Sequence, residues 1–241
     1  MTRTTTTAAA AAAATTTQTE GERAPRIGVM VCSTRKPRAC PQIAKFIIDT
    51  IRHPAGASED QIPRAKEADA TLHLVDLEEW SLPLFDESGV PSQILDPTQY
   101  DHEHTRRWSA EISSYDAFIF VTPQYNWGYP ASLKNAIDYL YHEWKGKPAM
   151  IVTYGGHGGG KCGAQLRQVL EGIHMVPTSQ NVELSFGGKG MTIHAAQGKD
   201  LGLENGTGTG TGLWGGVERE RIAEMYGELI DLLALAPKLD H

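Results

Sequence analysis

The chain has 241 residues, 40% hydrophobic and 21% charged, the balance of a globular protein with room for one large domain. No apolar stretch has the length to span a bilayer, and a formal net charge of −7 argues against general nucleic-acid binding. Three scattered cysteines, Cys32, Cys40 and Cys162, make no disulfide framework and fit a reducing, cytoplasmic setting, while the absence of any C-x-x-C pair or H-E-x-x-H run argues against a metal site.

Residues 1–25 are low in complexity: Thr4 to Thr7, Ala8 to Ala14 and Thr15 to Thr17 follow one another. Nothing there can build a core, so a disordered tail is expected, followed by a single domain over 26–241. A transit peptide is the alternative, since acids are absent before Glu20, yet only Arg3 and Arg23 are basic in that stretch.

Ile27 to Cys32 reads as a continuous apolar strand, and Ile43, Phe46, Ile47 and Ile51 then recur at helical spacing. Residues 53–70, with Pro54, Gly56, Pro63 and many charges, read as a surface insertion. Leu72, Leu74 and Leu77 flank His73 and Asp76 in a shorter, partly alternating strand. Trp108, Ile112 and Tyr115 mark another helix, and Ala117 to Val121 the next apolar run. A helix starting at Pro130 gathers Leu133, Ala136, Ile137, Leu140 and Tyr141 on one face. Ala149 to Tyr154 is again unbroken, and Leu166, Val169, Leu170 and Ile173 mark the helix after it. Val182, Leu184 and Phe186 alternate with Glu183 and Ser185. Residues 187–216 are rich in Gly and Thr and are expected to be a flexible, lid-like excursion. Ile222, Met225, Tyr226, Leu229, Ile230 and Leu233 close the chain as an amphipathic helix.

Five strands alternating with helices predict an α/β three-layer sandwich around a parallel sheet. Strands covered on both faces read as continuous apolar runs, and less covered ones alternate. The first, third and fourth runs are continuous and the second and fifth alternate. That places the latter two at the edges and gives the order 2-1-3-4-5, the flavodoxin-like arrangement.

In this topology the three central strands end side by side, and each is followed by an unusual loop. The first, Ser33 to Arg38, collects two hydroxyls and three cations ahead of a helix N-terminus, which suits a phosphate dianion. The glycine spacings of nucleotide-binding loops are absent, and a solvated basic turn is the plainer alternative. The second, Pro123-Gln124-Tyr125-Asn126-Trp127-Gly128, offers two flat aromatics, an amide and backbone groups to a planar heteroaromatic ring, although Tyr125 and Trp127 also suit core or subunit-contact roles. Asn126 has a possible local role, tying down its own turn. The third, Gly155 to Lys161, has five glycines and allows close backbone approach. His157 within it is either a polar contact or an exposed loop histidine. Cys162 sits at a helix start with no base placed for it, and reads as a spectator. A phosphate grip and two loops around a flat ring at the switch point describe an FMN site.

The run Ser33-Thr34-Arg35 with Arg38, the run Thr122 to Trp144, and Tyr154-Gly155-Gly156-His157-Gly158-Gly159 closely resemble the NAD(P)H-dependent FMN reductase family, and within it the fungal flavin-containing quinone reductases. Cys32 stands where that family usually has glycine. The resemblance implies hydride transfer from NADPH or NADH to N5 of FMN, and then reduction of a quinone or similar acceptor in the same space, a ping-pong cycle with no obligatory catalytic side chain. It implies that Ser33, Arg35 and Arg38 hold the FMN phosphate. Pro123, Gln124, Tyr125, Asn126 and Trp127 would hold the pyrimidine and N5 side, and Tyr154, Gly155, Gly156, His157 and Gly158 would line the opposite edge. It also implies a homodimer or homotetramer, with Tyr129, Leu133, Tyr139 and Trp144 as contact or core residues. A flavodoxin-type electron carrier, a flavin-based redox sensor, and a reductase of azo compounds, chromate, arsenicals or free flavin are the other readings. Arg35, Lys36 and Arg38 differ from the hydroxyl-rich phosphate loop of a carrier.

Overall fold

The structure, a computed structural model, describes residues 23–53, 70–203 and 213–236. Nearly all of the expected 1–25 tail and of the expected insertion at 53–70, and residues 204–212, lie outside the described residues.

The central strands are β1 (Arg26–Val31), β3 (Ala117–Pro123) and β4 (Pro148–Gly155). Almost every residue in them is buried, because layers cover both sheet faces. β2 (Thr71–Asp76) lies beside β1 at one edge with only Val75 fully buried, and Leu74 is 56% exposed. All strand pairs are parallel, in the order β2-β1-β3-β4-β5. This is the flavodoxin-like order. The far edge departs from a single fifth strand. β5 is the stub Val176–Pro177, paired with the start of β4, and β6 (Val182–Ser185) pairs with its end. Pro177 has no N–H to continue the ladder, which fits an interrupted edge.

Side-chain alternation splits the core in two. Ile27, Val29 and Val31 of β1 pack with Ile43, Phe46 and Ile47 of α1 (Cys40–Arg52) and Ile222, Met225 and Leu229 of the last helix. Met30 and Cys32 face the other way, as do Phe118 and Phe120. They pack against α3 (Glu103–Ser113), α4 (Ala131–Asp138) and α5 (Gly160–Gly172) through Trp108, Ile112, Leu133, Ile137 and Leu166. A short α2 (Leu77–Trp80) follows β2, with Asp76 accepting the Glu78 N–H at its start.

The stretch expected to be a flexible excursion contains a helix, α6 (Lys189–Ala196), and Leu201, Leu203 and Trp214 are buried beside it. The final helix, α7 (Gly216–Leu235), begins with Glu218 accepting the Gly215 N–H. Among the described residues no helix is long and apolar enough to cross a membrane.

Candidate active site

The register aligns Val31 with Val121, Pro123 with Tyr154, and Gly155 with Ser185, so four strand ends form one carboxyl edge. The chain leaves β1 through Cys32, whose N–H still bonds to Val121 O. The backbone at Cys32 does not adopt a left-handed φ, so this path needs no glycine there. Ser33 is fully buried and its hydroxyl shares a 2.8 Å hydrogen bond with the Tyr125 hydroxyl. That bond ties the first loop to the second.

Thr34, Arg35 and Lys36 are exposed beyond Ser33. Among the described residues no side chain caps the N-terminus of α1, and Pro41 in its first turn has no N–H, so the positive end of this 13-residue helix is left to the remaining backbone donors, a setting that suits an anion. Arg35 Nη1 donates to Ala196 O at 2.6 Å, an exposed contact with the last residue of α6. Lys36 pairs with Glu78. Arg38 is the least exposed of the three. Its Nη1 and Nη2 donate to the two carboxylate oxygens of Asp76 at 2.6 and 2.7 Å, and Nη1 also donates to Ser33 O at 2.7 Å. The carboxylate of Asp76 raises the Arg38 pKa further above its ordinary value.

The second loop is a two-residue turn closed by backbone bonds, Tyr125 N to Gly128 O at 2.8 Å and Gly128 N to Tyr125 O at 3.0 Å. Asn126 and Trp127 both have positive φ, 46° and 71°, the signature of a type I′ turn. Asn is at home in that conformation and Trp is not, so the turn holds an indole in a backbone state that normally costs energy. The Trp127 side chain is 67% exposed. Gln124 is half-buried; its N–H bonds to Tyr154 O, and its Oε1 accepts the Cys162 N–H at 3.2 Å. Pro123 is buried at the end of β3.

In the third loop Gly158 and Gly159 have φ of +81° and +89°, and a Cβ on Gly159 would lie 2.8 Å from Thr153. Thr153 Oγ1 donates to Gly158 O at 2.7 Å and locks the bend. His157 is exposed at its tip. The Cys162 thiol is buried beneath, pushed up to about 11 by desolvation despite the opposing Thr122 hydroxyl.

The α6 segment closes the ring. Arg35 holds its C-terminal end, and Gln42 bonds to Lys199 O and Leu201 N, both at 3.0 Å. A Cβ on Gly156 would meet Thr192 Oγ1 at 3.4 Å, so the third loop adjoins the same helix.

Ser33, Gln124, Tyr125, Gly155 and Gly156 are therefore brought together. Arg35, Asn126, Trp127 and His157 stand exposed around them. Two other residues expected at the site make close contacts within the chain. Arg38 is engaged by Asp76, and the Tyr154 ring is buried against Phe186 on the α1 side of the sheet. Leu133, Tyr139 and Trp144, open as contact or core residues, are fully buried within this chain. Sequence reasoning missed Asp76 and α6. An acid at the end of an edge strand was the available signal for Asp76, but no local pattern points from it to Arg38. The remaining donor set suits a phosphomonoester bearing a flat ring: an uncapped helix start, a guanidinium held by a single carbonyl, and an exposed indole on a rigid turn.

The sequence profile of the NADPH-dependent FMN reductase family matches residues 25–189. The chain is 47% identical over 152 residues to an NAD(P)H-dependent FMN reductase of Saccharomyces cerevisiae, covering 62% of this chain and 75% of that protein. It is 46% identical over 151 residues to one of Schizosaccharomyces pombe, covering 63% and 68%. A quinone reductase of Escherichia coli is 31% identical over 114 residues, 45% of this chain and 55% of that protein. Among solved structures, the flavoenzyme NAD(P)H:(acceptor) oxidoreductase FerB of Paracoccus denitrificans aligns with a TM-score of 0.58 at 20% identity, over 88% of this chain and 98% of that one, a likeness of fold. With more than half its length matched by the profile, the chain belongs to the NADPH-dependent FMN reductase family.

Proposed function

We propose that the protein draws hydride from NADPH or NADH and reduces a quinone or similar small acceptor in a ping-pong cycle, donor and acceptor using one cleft in turn. The enzyme class, an FMN-dependent oxidoreductase, follows from family membership. When bound, FMN supplies the redox chemistry of both half-reactions. The protein's part is to hold, orient and shield. Ser33, Arg35 and the first-turn N–H groups of α1 would grip the phosphate. The backbone from Pro123 to Trp127 would meet the polar edge of the ring, with the Trp127 indole as a wall, and Gly155 to Gly158 would form the floor. The Ser33–Tyr125 hydrogen bond at 2.8 Å carries this reading, because it fixes the anion-binding loop beside the ring-binding turn. The cysteine thiols, held high by burial, are unsuited to act as nucleophiles near neutral pH.

Assembly into a homodimer or homotetramer belongs to the same reading, and the exposed Leu84, Val90 and Leu95 supply apolar surface for it. The test is a visible spectrum of the purified protein before and after anaerobic NADPH, followed by a quinone. A yellow protein that bleaches rapidly and recovers its colour with quinone is the expected result. A yellow protein left oxidised by NADPH would be an electron carrier instead, and a protein that stays colourless after soaking with FMN would overturn the assignment.

A further inference from the structure

We infer that Asp76, at the end of edge strand β2, is a positioning residue for the phosphate-binding loop and acts through Arg38, whose terminal fork stays on the carboxylate and not on the phosphate. The inference rests on the reading above, that the first loop grips the phosphate of FMN, and assigns two of that loop's three cations, Arg35 and Arg38, different tasks.

Three bonds define the arrangement. Both terminal nitrogens of Arg38 fork onto the Asp76 carboxylate, and one of them also donates to Ser33 O. Both side chains are only 14% exposed. Asp76 Oδ1 accepts the Glu78 N–H as well, at 3.0 Å, so the carboxylate is anchored from the α2 side. Glu78 Oε2 lies 3.6 Å from Arg38 Nη2, and Glu78 also pairs with Lys36. The parallel pairing of β1 with β2 sets Asp76 opposite Val31, two residues before Ser33.

The terminal fork of Arg38 is occupied: three of its five N–H donors are engaged, two on Asp76 and one on Ser33 O. For Arg38 to turn that fork onto a phosphate it would have to abandon Asp76, leaving a largely buried carboxylate without its cation, a costly change. Arg35 faces no such barrier, since it is exposed and, among the described residues, is bonded to a backbone carbonyl alone. The chain Asp76–Arg38–Ser33 O instead fixes the backbone just ahead of Arg35. It presents the Ser33 hydroxyl and the following residues in one conformation, cutting the ordering cost of gripping an anion.

The two roles for Arg38 predict opposite outcomes for Asp76→Asn. If Arg38 instead swung its fork from Asp76 onto the phosphate, removing the carboxylate's charge would free it, and FMN would bind equally well or more tightly. If the pair positions the loop, FMN binding weakens. The full chain, stripped of co-purified flavin, is titrated with FMN and with riboflavin, which lacks the phosphate. Wild type is expected to prefer FMN. In Asp76→Asn the FMN dissociation constant is expected to rise about tenfold or more, with riboflavin changing less than threefold. Arg38→Lys, which keeps the charge and loses the fork, is expected to behave alike. Riboflavin binding serves as the control for folding. Retained or improved FMN binding in Asp76→Asn overturns the inference while leaving the flavin site intact. So does an equal loss of both ligands, which marks a general structural role. A wild type indifferent to the phosphate overturns the underlying reading, and this inference with it.

Discussion

Arg35 and Arg38 sit three positions apart in one loop, and the sequence presents them as equivalent cations. Their surroundings separate them: Arg38 is forked onto a carboxylate, and among the described residues Arg35 holds Ala196 O alone, from an exposed position. Replacing Arg35 with alanine is expected to weaken FMN binding by about 1.5 kcal/mol, roughly tenfold in the dissociation constant, the low end for a charge-assisted bond. The low end applies because Arg35 must first give up Ala196 O. Fluorescence titration checks it, and an unchanged constant would remove Arg35 from the phosphate site. The cysteines allow a second expectation at this scale. Burial holds the Cys162 thiol near 11, and raises Cys32 and Cys40 as well. Native protein treated with iodoacetamide at pH 8 should therefore be alkylated roughly 100-fold more slowly than the unfolded chain, from thiolate fraction alone. Intact-mass measurement with and without urea reads this, and rapid native labelling of Cys162 would mean that the α5 start opens.

The elements were legible where burial leaves a periodic trace. β1, β3 and β4 are apolar throughout because helices cover both faces, and α1 and α7 show apolar stripes because one face is solvated. The misses are elements held by something other than their own periodicity. α6 has Gly190 and Thr192 inside it and buries only Ala195. It is held in place by Arg35, by the Gln42 clamp, and by the burial of Leu201, Leu203 and Trp214 beyond it, none of which leaves a local pattern. The stub β5 escapes notice for a similar reason, since two residues carry no alternation. Trp214 is the tie between this excursion and the body of the domain. Its ring stacks on Phe186 at 5.8 Å and 19°, lies 5.5 Å from Phe46, and donates Nε1–H to Ser185 O at 2.8 Å. Trp214→Ala is expected to cost about 3–5 kcal/mol, the range for truncating a buried aromatic. Urea unfolding of both proteins tests it. A loss below about 1 kcal/mol would show that residues 213–214 do not pack as described.

At the scale of the whole molecule the two hydrophobic layers and the strand order follow from patterning, but charges buried between layers do not. Lys147 is such a charge. It lies just before β4 at the end of the sheet opposite the site, is 3% exposed, and donates Nζ–H to Ile112 O at 2.8 Å near the C-terminus of α3. Burial pulls its pKa down to about 8, with Asp116 and Glu143 opposing the shift. The unfolded chain keeps an ordinary lysine near 10.4. Between these values the unfolded state binds the extra proton, so this residue's contribution to stability rises with pH across that window. Below pH 8 both states are protonated and the burial penalty stands in full. The slope is on the order of 1 kcal/mol per pH unit for one proton. Buried thiols and Tyr115, whose pKa values are raised, act in the opposite direction at higher pH, because the unfolded chain then loses protons that the folded protein keeps. The comparison must therefore be a difference. The stability of wild type relative to Lys147→Met, measured by urea unfolding at pH 7, 8 and 9, is expected to move in favour of wild type by a few tenths of a kcal/mol from 7 to 8 and by about 1 kcal/mol more by pH 9. A difference that stays flat through pH 9 would mean that Lys147 keeps its ordinary pKa in the folded protein, with water or a carboxylate reaching the ammonium.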